Sequence, residues 1–477
     1  MVCKLFSDDF FSLLVSYYGK PTADDLLDAL RQEPVVSVRM REGVRPLSED
    51  PVPWCPLGCY LSERPRFLLD PRMHAGMYYV QEASSMFLWH ALRQLPSPRR
   101  VLDLCASPGG KSTLLLSAIP PEAILVSNEA IASRTGALVE NISKWGHANV
   151  LVSHAPTSAF RQLPDTFDLI LTDVPCSGEG MFRKSEEAVR QWSMEKVRRL
   201  QALQRQIVGD AWQCLSAGGY LIYSTCTFNP LEDEDNVAWI AETLGGETVD
   251  LHPPSSWHIL PSLHTGHFGY HFLPGRVRGE GFFLSVIRKS GHTEREGKST
   301  VQHSSCLMPH LRATARVAPT RNEFRRMDSS FLIPNSSLDI ADWWTRGEGL
   351  ILVPDARDQL CLFPSAHLPL LEALRHQRLP LLQIGTPIAE EKGKGKWKPL
   401  PPLALSHHLR WEAFPQVDLP LAQAIDYLRG LSLPLDEPLP KGYVLATYEG
   451  HPLGFLHPVG GRANNLYPTP WRIRQYS

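Results

Sequence analysis

The chain has 477 residues, with 48 Lys and Arg against 50 Asp and Glu, and 43% of it is hydrophobic. At about 150 residues per domain this length calls for two to four domains, and ordinary apolar and charged contents exclude a largely disordered chain. A formal charge of −2 excludes a globally basic nucleic-acid coat protein but leaves room for a local basic groove.

The N-terminus, MVCKLFSDDFFSLL, has acids ahead of its apolar stretch and no basic leader, so no signal peptide is expected. No apolar run reaches the ~18 residues of a membrane span. Nine scattered cysteines suit a reducing cytosol better than a disulfide framework, and a cytoplasmic protein is expected. Residues 1–75 alternate short helical pieces with Pro-rich loops and read as a small N-terminal domain. Within them Cys55 and Cys59 (CPLGC) have the form of half a zinc site, but no second pair follows; buried thiols are expected there, and no metal.

From 76 to 289 the pattern becomes regular. Strand-length apolar runs VLDLC (101–105), AILVSNE (123–129), NVLVSHA (149–155), FDLILTD (167–173), GYLIYST (219–225) and GFFLSVIRK (281–289) recur with helical stretches between them. Such alternation means an α/β domain with a mainly parallel sheet. Glu186–Cys214 reads as one long amphipathic helix or two, stopped by AGG (217–219). Residues 290–330 are polar and read as a linker. Compact composition returns in 331–477, which reads as a β-rich and separable region.

DLCASPGGKST (103–113) follows a strand and opens a helix, and its tail imitates a phosphate-binding loop. The required spacing puts a glycine at 105, where the chain has Cys105, and Pro108 shortens the loop. The better reading is a nucleoside cofactor without a pyrophosphate. A Gly-rich turn lets backbone approach the ligand, and Glu129 at the end of the second strand can accept both ribose hydroxyls. Two more strand ends carry chemistry, TDVPCSGEG (172–180) and YSTCT (223–227). Ligands of an open parallel sheet sit beyond the C-terminal strand ends, so Asp103–Lys111, Glu129, Asp173, Cys176 and Cys226 should border one crevice. Spacing alone does not say which cysteine attacks.

DLCASPGGK, NE at 128–129, TDVPCSGEG and YSTCT, in this order, resemble the RNA cytosine-C5 methyltransferases that use S-adenosylmethionine. RFLLDPRMHAGMYYVQEASSMF (66–87), GEGMFRK (178–184), KGKGKWKP (392–399) and NNLYPTPWRIR (464–474) resemble the bacterial small-subunit rRNA methyltransferase F group within them. The resemblance implies a Rossmann-like S-adenosylmethionine-dependent methyltransferase domain, a small RNA-binding N-terminal domain and a β-rich, PUA-like C-terminal domain. It implies Cys226 as nucleophile, Cys176 as helper in product release, and Asp173 facing the base or lying between base and cofactor. For the cofactor it implies Cys105, Ala106, Ser107, Pro108, Gly109, Gly110 and Lys111 around the methionine part, with Glu129 on the ribose and Arg134 supporting that acid. The chain departs from the pattern after its third strand: Ala155 or Pro156 stands where an acid near the adenine is usual, and Ser153 or a backbone carbonyl is the expected substitute.

The expected partner is RNA, in small-subunit rRNA or the assembling 30S subunit, with no membrane and no obligate protein partner. The basic residues of 391–410, with Trp397 among them, and of 441–477 suit a phosphate track with a stacking face. Two rivals are a tRNA methyltransferase and an RNA-binding assembly factor without catalysis; the intact pair Cys176 and Cys226 speaks against the second.

Overall fold

The computed structural model describes residues 6–291, 340–345, 349–393, 395–434, 439–459 and 462–474. All but the first two residues of the expected linker 290–330 lie outside the described residues, as does Lys394. Among the described residues no helix is long and apolar enough to cross a membrane.

Two helices, Asp8–Tyr18 and Lys20–Leu30, open the chain. A three-stranded antiparallel sheet follows, made of β1 (Val36–Met40), β2 (Gly58–Leu61) and β3 (Tyr78–Val80). It runs past residue 75, so the N-terminal unit extends beyond the boundary read from composition. Cys55 and Cys59 are both buried, in different apolar clusters.

The central sheet is built from β4 (Arg100–Asp103), β5 (Ile124–Asn128), β6 (Val150–Ser153), β7 (Phe167–Asp173), β8 (Leu215–Thr225), β9 (Gly246–Thr248), β10 (Leu260–Pro261), β11 (Tyr270–Phe272) and β12 (Phe282–Lys289). Its parallel part has the order β6-β5-β4-β7-β8, and β12, β11 and β10 extend it beyond β8 as antiparallel neighbours. Chain order reverses between β4 and β7, the point where an open α/β sheet leaves a crevice for a ligand. The stretch 186–214 is two helices, Glu186–Arg190 and Met194–Cys214, each started by a serine that accepts a backbone N–H, Ser185 and Ser193. AGG does not stop the second one. The helix ends at Cys214 and β8 begins at once, with Gly218 at φ +76° and a register shift opposite Phe167 and Leu169 absorbing the bend.

The C-terminal strands are β13 (Leu350–Pro354), β14 (Leu360–Pro364), β15 (Leu381–Ile384), β16 (Thr386–Glu391), β17 (Trp397–Pro399), β18 (Gln416–Asp418), β19 (Leu433–Pro434), β20 (Val444–Tyr448), β21 (His451–Val459) and β22 (Arg462–Asn465). They form a four-stranded sheet and a five-stranded one, but β15 leaves both and pairs antiparallel with β6 at the edge of the central sheet. Phe363, Leu371 and Leu374 share a buried cluster with Leu102, Val126 and Phe167 of the central domain. Tyr427, Val444 and Leu456 share another with Val38 and Met40 of the N-terminal sheet. The C-terminal region is therefore not a detachable unit. Cutting it away would reopen the edge of β6 and expose apolar faces of both other regions.

Candidate active site

β4 delivers Asp103 to the crevice, fully buried. Ser112 donates to its Oδ2 at 2.6 Å, Oδ1 has no partner, and burial pushes the carboxyl up to about 7. The loop after it is fixed by the next strand and helix. Ala106 N donates to Asn128 O at 2.8 Å, Asn141 Nδ2 donates to Pro108 O at 2.8 Å, and Arg134 and Ser107 exchange two bonds of 2.7 and 2.9 Å. Gly109, at φ +109°, turns the chain into the helix Gly110–Ala118. Lys111 does not stand free for a phosphate, as a nucleotide-binding loop would need; its Nζ donates to Asp173 Oδ2 at 2.8 Å.

Glu129 follows β5 and is 3% exposed. Its Oε1 accepts Ile131 N at 2.7 Å, while Oε2 has no hydrogen-bond partner and lies 3.6 Å from Arg134 Nη1. It lines a cavity of about 650 Å³ with Cys105, Ser107, Arg134 and Pro156. An open, buried acceptor of this kind suits a ribose hydroxyl. Ser153 does not face that cavity. It is fully buried and donates to Asn128 Oδ1 at 2.9 Å, and Asn128 also binds the amide and carbonyl of Ala155. The expected substitution by Ser153 is thus excluded, because its hydroxyl serves the fold.

β7 and β8 are parallel neighbours with Asp173 opposite Ser224, which places the turns that follow them side by side. Cys176 Sγ and Cys226 Sγ are 3.1 Å apart, and the Cys226 amide donates to Cys176 Sγ at 3.3 Å. Asp173 accepts Ser224 Oγ at 2.8 Å on its other oxygen. The hydrogen bond to Cys226, and then burial, push the Cys176 thiol well above the usual range.

Beneath the two thiols lies a polar network that the motifs did not reveal. Glu179 accepts Trp192 Nε1 at 2.7 Å, Asn229 Nδ2 at 2.8 Å, Ser177 Oγ and Phe228 N at 3.0 Å, and Thr227 Oγ1. Glu232 accepts Ser177 N at 3.0 Å and Gln204 Nε2 at 2.7 Å; burial, then the charge of Glu179, push it up to about 7. These carboxylates tie the turn that bears Cys176 to the turn that bears Cys226.

A second cavity of about 460 Å³ opens beside Cys226 and shares Cys105, Ser107, Asp173, Met181 and Cys226 with the first. Tyr79–Glu82, the end of β3 and the residues just after it, form part of its wall. The sequence reading did not assign these residues to the site, although they lie within the stretch quoted for the resemblance. Of the basic residues expected on an RNA track, Lys392 and Lys398 are paired with Glu390 at 2.7 and 2.9 Å. Trp397 is half-buried beside β16 and packs partly on the core, which leaves only part of its ring open to a base.

A family model described as 16S rRNA methyltransferase RsmB/F matches residues 92–288. Models described as the N-terminal domain of 16S rRNA methyltransferase RsmF and as the methyltransferase RsmF PUA domain match 6–83 and 414–473. Ribosomal RNA small subunit methyltransferase F of Photobacterium profundum is 31% identical over 426 residues, 88% of this chain and 84% of that one. The protein of the same name from Erwinia tasmaniensis is 30% identical over 429 residues, with the same coverages. Among solved structures, PH0851 superposes with a TM-score of 0.54 at 21% identity, covering 60% of this chain and 66% of that one. NSun6 from Pyrococcus horikoshii, solved with SFG, does so with a TM-score of 0.50 at 19% identity, covering 60% and 99%; both show the fold. The chain belongs to the ribosomal RNA small subunit methyltransferase F family.

Proposed function

We propose that this protein methylates C5 of a cytosine in small-subunit rRNA, with Cys226 adding to C6 of the ring. The observation that carries the reading is Cys226, which lines both cavities, with the Cys176 thiol 3.1 Å from it in one of them. One cavity suits a nucleoside cofactor and the other a base. S-adenosylmethionine is the methyl donor of such an enzyme, and the residues fit it. The open Oε2 of Glu129, with Arg134 beside it, would take the ribose, and the Cys105–Lys111 loop and Asp173 would hold the methionine end. When bound, it supplies an electrophilic methyl group.

The chain's own residues do the rest. The Cys226 sulfur bonds to C6, and the C5–C6 π pair moves to C5, which thereby becomes able to take the methyl group. Asp173, held by Lys111 and Ser224, is positioned to hydrogen-bond the ring as charge develops. Loss of the C5 proton restores the double bond and breaks C6–S, so one hard step becomes two easier ones. Cys176, 3.1 Å from Cys226, is placed to help that release by giving its thiol proton to the departing Cys226 sulfur, while the C5 proton passes to solvent. In the free enzyme the bond to Cys226, and then burial, keep the Cys176 thiol protonated, so that proton is on hand when C6–S breaks. The assembling 30S subunit in the cytoplasm is the setting proposed for the reaction. Bisulfite sequencing of total rRNA from cells with and without the protein tests the reading. One protected cytosine in small-subunit rRNA that vanishes with the gene is expected; no difference in rRNA overturns it.

A further inference from the structure

A third cavity, of about 470 Å³, lies outside the catalytic cleft, where three regions of the chain converge. Tyr78–Val80 of the N-terminal sheet form one wall. Asn141 and Lys144 of the helix Ala132–Trp145 form the floor, and the C-terminal Trp471 and Arg474 close it. Gly76, at φ +68°, packs directly on the Lys144 carbonyl, where a Cβ would find no room, so the N-terminal wall is seated firmly. The cavity shares Tyr79 and Val80 with the catalytic cavity of about 460 Å³.

The lining has the composition of a nucleotide site. Lys144 Nζ lies 5.9 Å from the Trp471 ring centroid. Lys144 is paired with Glu140, which also lines the cavity, Arg472 lies with its Nε buried against Gly430, and Arg474 stands exposed at the rim. Asn141 offers an amide close to the floor, and its Nδ2 already links the cavity to the cofactor loop through Pro108 O at 2.8 Å. An aromatic face, a cation for a phosphate and a few polar groups in a volume of this size are what one unpaired nucleotide needs.

We propose that this cavity is a second nucleotide pocket. It seats an unpaired nucleotide of the same RNA, near the one whose base enters the catalytic cleft, with the base on Trp471 and the phosphate on Arg474. The proposal rests on the RNA methyltransferase reading above. Its value to the reaction is register. A cytosine leaves its stack only if the backbone beside it is held in a distorted path, and a pocket that shares Tyr79 and Val80 with the cleft holds it there. The same residues give the C-terminal region a direct part in positioning substrate, besides any general affinity for phosphates.

The test uses the full chain, S-adenosylmethionine and an unmodified 16S rRNA transcript, comparing wild type with Trp471→Ala, Trp471→Phe and Arg474→Glu. Stacking is worth about fivefold to a hundredfold in affinity. KM for the transcript should rise by that factor in Trp471→Ala, with kcat within about twofold, cofactor affinity unchanged and most of the loss recovered in Trp471→Phe. Arg474→Glu should raise KM as well and weaken its salt dependence. An unchanged KM in the folded Trp471→Ala and Arg474→Glu variants overturns the pocket. So does a loss that cofactor affinity and melting temperature share, which marks a structural role. If Trp471→Ala does not fold, the exposed Arg474→Glu decides alone. If wild type transfers no methyl either to the transcript or to 30S subunits from cells without the protein, the methyltransferase reading has failed by itself. The pocket is then judged on filter-binding Kd for the same transcript, with the same shifts supporting it and unchanged Kd overturning it.

Discussion

The two halves of the cleft are finished to different degrees. On the cofactor side, Glu129 Oε2 and Asp103 Oδ1 are buried and unbonded. On the thiol side, Glu179 accepts hydrogen bonds from five groups and Glu232 joins the same turns from below. An unbonded buried acceptor costs stability until something fills it, whereas a saturated network holds a fixed geometry. The difference teaches where the protein expects a ligand to complete it and where it must already be complete.

The largest effect should fall on the thiol side. Cys226→Ala should reduce transfer of labelled methyl to rRNA to background while leaving S-adenosylmethionine binding intact. Cys176→Ala should instead leave the protein trapped on RNA, visible as a slow band on denaturing gels. An adduct in Cys226→Ala and not in Cys176→Ala would reverse the two roles.

Next comes the network itself. Glu179→Ala strands several donors at once, and at about 1–3 kcal/mol for each unsatisfied group it should cost at least about 3 kcal/mol in urea unfolding. The cofactor half does not depend on it, so cofactor affinity per folded molecule should stay close to wild type. A parallel loss of that affinity would show that the halves are not independent.

Glu129→Ala should weaken cofactor binding by about ten- to hundredfold, the worth of a charged hydrogen bond. Because that carboxylate is unsatisfied when free, the apo protein should keep or raise its melting temperature. Calorimetry and thermal melts read the two effects separately, and a variant that loses stability with its affinity would place Glu129 among the structural groups.

The last effect is a pH dependence. Glu232 and Asp103 are both pushed up to about 7 when folded. A carboxyl raised on folding contributes stability fully below its unfolded value and loses it as pH rises through the folded value. Each should therefore take stability away between about pH 4 and 7. Glu232→Gln and Asp103→Asn should each flatten part of that fall when denaturation midpoints are measured across the range, and a slope unchanged in both would mean that neither group titrates there.

The catalytic strands and the cleft were legible because their signals are local. A strand end, a tight turn and a cysteine lie within a few residues at 173–176 and 223–226, and a parallel sheet brings such ends together by rule. What escaped depends on partners far along the chain. Glu179 and Glu232 look like ordinary polar residues until Trp192, Ser177 and Asn229 close around them. Trp397 carries the composition of a stacking residue, yet pairing between β16 and β17 turns it toward apolar neighbours. LLQI at 381–384 is too short to announce that it completes a sheet begun at residue 100, and a region that looked separate in composition is joined to the rest by that pairing.

That late strand has a consequence for synthesis. Leu381 pairs with Ser153, and the ribosome makes the two far apart in time. At about 5–20 residues per second, β6 emerges roughly 10–50 s before the strand that covers it. Throughout that interval the newly made catalytic domain carries an open edge, able to pair with another nascent chain. Until β15 arrives, the growing chain depends on something other than its own fold to keep that edge from pairing elsewhere.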